Sequence, residues 1–205
     1  SDYTIQFTSY DPCVASPPTI AQIQGSGPTA AITGPVSTMG VVTGDLQGNV
    51  RLGGFYLQDP LGDADPGTSE GIFVYTGNAD LVSVGDQVRV TGYARERYGE
   101  TALNGADSNT AAVTSIRTCG TQPPPSPTPV TMPLTDPQRY EGMRVSFGQS
   151  LQVADAYDFA RYGEFTLALP LPGEPRLFTG TDAEAPGAAA LAREQANKQR
   201  QIIVD

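Results

Sequence analysis

The sequence predicts a mainly β chain: a five-stranded, OB-fold-like Greek-key barrel followed by a smaller β-rich unit with one helix. Three observations carry this reading. Gly (23) and Pro (18) are abundant among 205 residues, a pairing that favours short strands and turns over long helices. Five short apolar runs lie between residues 36 and 118, with a break between the third and fourth, which suits a five-stranded barrel. A Pro-rich run, TQPPPSPTPV at 121–130, then divides the chain as an extended, semi-rigid spacer. A β-sandwich is the alternative arrangement of the same strands.

Taken in order, residues 1–35 read as an irregular segment rich in proline (Pro12, Pro17, Pro18, Pro28, Pro35), with a helical turn or an edge strand over 19–25. The barrel is expected over 36–120. Its strands are predicted at 36–43 (broken by Gly40), 52–59 and 71–75. After a turn or short helix at 81–86 comes a fourth at 87–97, with Val88 and Val90 on one face. Residues 101–103 and 111–117 read as one interrupted fifth strand. Residues 131–205 form the second unit. Strands are expected at 144–147, 149–153, 165–169 and 202–204, with one helix over 187–199 that starts just after Pro186. Few strands serve that length, so this unit reads as incomplete, its sheet finished by further chain. Residue 1 is Ser, and the last five residues read as part of a strand; both ends therefore read as processed or cut.

Composition removes whole classes of chemistry. There is no histidine, which excludes Ser-His-Asp and Cys-His catalysis within this chain and histidine-dependent phosphodiester hydrolysis. Carboxylate-only metal chemistry survives. The net charge of −10 repels phosphate backbones at long range, so nucleic-acid contact requires a local basic patch. No apolar run reaches the ~20 residues of a membrane span, and no membrane partner is expected. The two cysteines, Cys13 and Cys119, bracket the barrel and read as a disulfide clamping its ends, as in extracellular domains; two unrelated buried thiols are the bland alternative.

A series of motifs resembles a known family. IQGSG at 23–27, VVTGDLQ at 41–47, GGFYLQDP at 53–60, GDAD at 62–65 and TSEGIFVY at 68–75 follow in that order. YEGM at 140–143, RYGE at 161–164, RLF at 176–178 and the run 197–205 extend the match. The series is similar to the N-terminal OB-fold-like region of ExeM/NucH-type secreted bacterial endonucleases. The resemblance implies an extracellular, metal-dependent nuclease parent. Its catalytic endonuclease/exonuclease/phosphatase domain would lie downstream, hold the divalent metal, and be the main partner of this region. No catalytic residue carries over, because the metal-binding acids and His motifs of that domain are not in this chain.

Four groups are candidate sites. The fourth strand's alternation sets Arg89, Thr91, Tyr93, Arg95 and Arg97 opposite Val88 and Val90, with Tyr98 in the following turn. Tyr56 and Gln58 on the second strand and Tyr75 on the third join them. Aromatic rings that stack bases and arginines that pair phosphates are what an OB-fold uses on single-stranded DNA or RNA. The bland reading is a solvated face with Arg paired to Glu96, Glu100 or Asp107. Asp59, Asp63, Asp65 and Glu70 form an acidic loop with oxygen ligands suited to Ca²⁺; Leu61 and Ala64 occupy positions where an EF-hand wants Asp or Asn and Gly, so that motif fails. Asp155, Asp158 and Glu164 around Tyr157 and Tyr162 read as a polar loop. Arg193, Lys198 and Arg200 on the helix read as a solvated or packing face. The leading expectation is a non-catalytic accessory region of a nuclease; the alternative is a structural or protein-interaction module without nucleic-acid affinity.

Overall fold

The computed structural model describes residues 11–48 and 52–204. Residues 1–10 of the irregular N-terminal segment, and Asp205 at the end of the last predicted strand, lie outside the described residues. The stretch 19–25 is helical: α1 (Ile20–Gln24) is opened by a capping box in which Thr19 and Gln22 satisfy each other's backbone donors.

A closed five-stranded barrel follows. β1 (Gly34–Leu46), β2 (Gly54–Gln58), β3 (Gly71–Tyr75), β4 (Asp86–Arg97) and β5 (Glu100–Asn104) run in the order β1-β2-β3-β5-β4, and β1 also pairs with β4 to close the ring. The 13-residue β1 makes closure possible. Its first half, from Gly34 to Val41, pairs with β4 and its second half, from Val41 to Leu46, pairs with β2 across a bulge between Val42 and Gly44. The strand runs unbroken through Gly40, where a break was expected; a Cβ there would stand 2.8 Å from the Gln58 carbonyl oxygen and 2.9 Å from Leu57 Cγ. Only a bare backbone fits so close an approach.

Alternation on the strands fills the barrel. Val36, Val42, Phe55, Leu57, Ile72, Val74, Val88, Val90, Ala94 and Leu103 are buried in one cluster, with Ile20 and Ile23 of α1 in the same core. Each of the larger side chains contributes ~1.5–3 kcal/mol by leaving water. The break between β3 and β4 takes the turn of the two expected forms, at 83–86, and sends Val82 into the core.

The predicted fifth strand is in fact two. β5 ends at Asn104, and residues 115–121 form a separate strand, β6 (Ser115–Thr121), which pairs with the first half of β4. The reason is the length of β4: twelve residues offer its late half to β5 and its early half to β6. The Pro-rich run also contributes a strand. β7 (Thr128–Val130) pairs in parallel with β8 (Val145–Phe147).

In the C-terminal part, β9 (Gln152–Asp155), β10 (Phe165–Ala168) and β11 (Gln201–Val204) make a three-stranded antiparallel sheet in the order β11-β10-β9. The expected long helix is α4 (Ala188–Lys198). The sequence reading lacks two four-residue helices, α2 (Phe159–Tyr162) and α3 (Gly180–Ala183), of which α3 packs against α4. The core here is small: Val130, Met132 and Leu134, with Tyr140, Val145, Phe147, Leu151, Leu169 and Ile202 packed against them.

The segment after β7 touches the barrel through specific bonds. Glu141 Oε1 accepts from the Thr101 backbone N–H at 2.6 Å and from Gln24 Nε2 at 3.4 Å. Ser69 Oγ donates to the Glu141 carbonyl at 2.6 Å, and the Arg144 N–H donates to Gln58 Oε1 at 3.0 Å. No described helix is long and apolar enough to cross a membrane.

Candidate nucleic-acid interface

Strand register brings most of the predicted residues onto the outer face of β2, β3, β5 and β4. Tyr56 lies opposite Phe73, Phe73 opposite Ala102, and Ala102 opposite Arg95. The Tyr56 and Phe73 rings meet edge to face at 5.2 Å. One row along, Arg97 stacks on Tyr75 with its guanidinium 4.2 Å from the ring centre, 4.9 Å from that of Tyr98 and 5.6 Å from that of Phe73. Arg95 stacks on Tyr93 at 4.5 Å.

The loop between β5 and β6 folds back over this face and occupies the cations. Arg95 Nη2 donates to the carbonyls of Gly105 (3.0 Å) and Ala106 (2.8 Å), and its Nη1 to Asn109 Oδ1 (3.4 Å). Arg97, nearly buried, donates from Nε to the Asn109 carbonyl at 2.9 Å. Tyr56 reaches Glu100 Oε2 at 3.4 Å.

Tyr98 differs from its neighbours. It is 76% exposed, the most open aromatic of the group, and it has φ +55°. With Gly99 (φ +99°) it makes the two-residue connection from β4 to β5, which requires positive φ at both positions. Glycine or asparagine suits the first of these; tyrosine there costs roughly 1 kcal/mol or more of backbone strain.

Two predicted residues lie away from the cluster in role or place. Gln58 is buried, its amide oxygen held by Arg144 N–H, so it anchors the downstream segment. Arg89 sits on β4 roughly 20 Å along the strand from Arg95 at ~3.3 Å per residue. It donates to Ser37 Oγ (2.9 Å) and to the carbonyls of Pro12 (2.5 Å) and Ala15 (3.1 Å). Close by, Cys13 and Cys119 form the expected disulfide, with Cα atoms 5.5 Å apart and a sequence separation of 106. A bridge closing so long a loop stabilises the fold by roughly 2–5 kcal/mol.

The acidic loop binds its own backbone. Asp59 Oδ1 accepts from Leu61 and Gly62, Asp63 Oδ1 from Asp65, Asp65 Oδ1 from Gly67, and Glu70 Oε1 from Asp63. Each bond tightens the turn that an Asx side chain favours. Burial raises the Glu70 carboxyl to about 7; the Asp63 N–H opposes this, while the charges of Asp63 and Asp59 add to it. Among the described residues, no three His, Cys, Asp or Glu side chains gather to hold a metal ion. Asp155, Asp158 and Glu164 line a shallow pocket beside Tyr157 and Ile203. On α4, Arg193 is paired to Glu174 at 2.6 Å, and Arg200 just beyond it is buried with Nη2 on the Leu169 carbonyl.

Sequence reading misses Phe73, Asn109 and Glu141. Phe73 carried a usable signal, since it shares parity with Tyr75 on the same strand. Asn109 and Glu141 had none, because their partners are set by loop closure and docking. No family model, curated protein or solved structure matches the chain.

Proposed function

We propose that this chain is a non-catalytic accessory region of a larger extracellular nuclease, and that its barrel makes a weak contact with single-stranded nucleic acid. Hydrolysis and the divalent metal belong, in this reading, to a downstream catalytic domain that the motif series implies. The disulfide is compatible with an extracellular setting. Among the described residues the loop acids Asp59, Asp63, Asp65 and Glu70 form no group of three that could hold a metal ion, and the proposal does not rest on Ca²⁺ there.

One observation carries the nucleic-acid reading. Tyr98 stands exposed and strained at the β4–β5 hairpin, backed by Arg97, which is itself stacked on Tyr75. That loop flanks the face with which OB-folds hold oligonucleotides. A rigidly supported ring at such a tip supplies the stacking platform that sequence-tolerant binding uses. Because Arg95 and Arg97 already serve carbonyl acceptors, affinity rests on stacking more than on phosphate pairing. The contact is therefore weak and only mildly salt-dependent.

A second reading has its own support. The guanidiniums of Arg89 and Arg95 hold the N-terminal segment and the β5–β6 loop in place, and the chain carries −10 overall. This favours a structural or protein-interaction module. A fluorescence titration with a labelled single-stranded oligonucleotide at low salt separates the two. The first reading expects saturable binding that Tyr98→Ala weakens by roughly fivefold to a hundredfold, the value of one base stack. Absence of binding at low salt establishes the second. EDTA-sensitive turnover by the purified chain would overturn the non-catalytic assignment in both.

A further inference from the structure

The opposite end of β4 carries a different arrangement. Across β1, β4 and β6, Ser37 lies opposite Thr91 and Thr91 opposite Ser115; in a neighbouring row Arg89 lies opposite Arg117. These five residues and Pro12 line a groove of about 270 Å³. A single water takes up ~30 Å³, so a polyatomic ligand fits.

The lining is unusual for this chain. Among the described residues it holds two guanidiniums and three hydroxyls and no carboxylate, in a protein with 22 acids against 12 basic residues. The groove is also held rigidly. Arg89 is fixed by Ser37 Oγ and by the Pro12 and Ala15 carbonyls, and the Cys13–Cys119 bridge ties that N-terminal segment to β6. Ser37 donates to the Val90 carbonyl and accepts from both Arg89 Nε and Thr91 Oγ1, so its hydrogen-bonding capacity is used. Three donor groups have no hydrogen-bond partner among the described residues: the guanidinium of the exposed Arg117, the hydroxyl of the exposed Ser115 and Nη2 of Arg89. All three can donate, and with two full positive charges the set favours an anion with several oxygens.

We propose that this groove is a second binding site, distinct from the Tyr98 face, and that it takes an oxyanion: a phosphate or sulfate group. Arg117 grips it as a fork, Ser115 donates to it, and the preset Arg89 supplies the second charge. The same chemistry is offered by free inorganic phosphates, by the phosphodiester of a nucleic acid and by a sulfated sugar.

Amide chemical shifts of the intact ¹⁵N-labelled chain, followed in separate titrations with inorganic pyrophosphate, a short single-stranded oligonucleotide and a sulfated disaccharide at low ionic strength, test the site. At least one probe shifts Thr91, Ser115 and Arg117, and the tightest identifies the source. Arg117→Ala weakens that probe by about tenfold or more, the value of a charge-assisted bond. Ser115→Asp, which sets a carboxylate in the groove, abolishes binding. Both positions are exposed on β6, and an unchanged thermal midpoint verifies folding. Absence of shifts with all three probes overturns the proposal, as does binding that survives both substitutions. Oligonucleotide binding lost in Tyr98→Ala but kept in Arg117→Ala and Ser115→Asp removes the nucleic-acid arm of the groove and leaves the stacking reading intact. Pyrophosphate binding lost in Arg117→Ala, with no oligonucleotide binding, upholds the groove and sinks the stacking reading.

Discussion

The barrel and the C-terminal part follow the same alternation rules with different results. In the barrel, Phe55, Leu57, Ile72, Val74, Val88 and Leu103 are wholly excluded from water. In the C-terminal part three apolar side chains form the buried nucleus, while Val153, Tyr157, Phe159, Leu191 and Ile203 remain more than half exposed. Closure accounts for much of the contrast. A ring of strands encloses one face completely, whereas a three-stranded open sheet with its edge strand β9 exposed along its whole length encloses neither. Stability therefore concentrates between residues 20 and 103.

The largest test of that contrast compares a truncation in the barrel core with one on the exposed face of α4. Phe55→Ala is expected to cost ~3–5 kcal/mol, the sum of lost transfer energy and the cavity left in a barrel that cannot collapse. Leu191→Ala on α4, 68% exposed, is expected to fall within ~0.5 kcal/mol of the parent. Urea unfolding of the two variants gives the difference. Comparable losses would mean that α4 packs as tightly as the barrel, and the division would fail.

An intermediate effect is expected where the two regions meet. Gly71 on β3 lies so close to Gly142 that a Cβ would collide with the Gly142 carbonyl group and the Met143 nitrogen. Gly142 itself has φ +67°, where other residues are strained. Gly71→Ala should push the 138–144 segment off the barrel at a cost of ~1–3 kcal/mol. Hydrogen exchange locates the damage: the Arg144 amide, which donates to Gln58 Oε1, loses protection while amides of β4 keep theirs. Unaltered exchange at Arg144 would show that this packing does not hold the segment.

The same contrast explains what was legible beforehand. β3 was read at its observed bounds because four consecutive β-forming residues, Ile72 to Tyr75, follow Gly71 between turn signals and leave little choice. The face of β4 was legible as far as Arg95, since parity alone sets Val88, Val90 and Ala94 inward. Where parity gives way to tertiary partners, sequence reading lost its grip. Arg97 is covered by rings from β3, and Gln58 by a backbone 86 residues away. The split between β5 and β6 depends on how far β4 extends past each partner. Pro129 sits in a strand because β7 has one partner and an open edge, the place where a missing N–H is tolerated. The disulfide was read from the positions of just two cysteines together with an extracellular-looking composition.

The smallest expected effect concerns the acidic loop beside this junction, which leads directly into Ser69 and Gly71. Burial holds the Glu70 carboxyl at about 7, against an ordinary 4.5, so the folded chain binds that proton more tightly than the unfolded one. The associated stability is complete below pH 4.5 and is lost as pH rises from there through about 7. Half the loop is open to solvent, so screening limits the change to about 1 kcal/mol. Glu70→Gln keeps an oxygen for the Asp63 N–H and removes the titration. Glu141 is raised in the same direction by its own burial, so the informative quantity is the difference between parent and variant. Chemical denaturation at pH 4.5 and pH 8 should show the parent losing more stability than the variant. A difference that stays constant across that interval would place Glu70 in water in both states and detach the loop from the junction it borders.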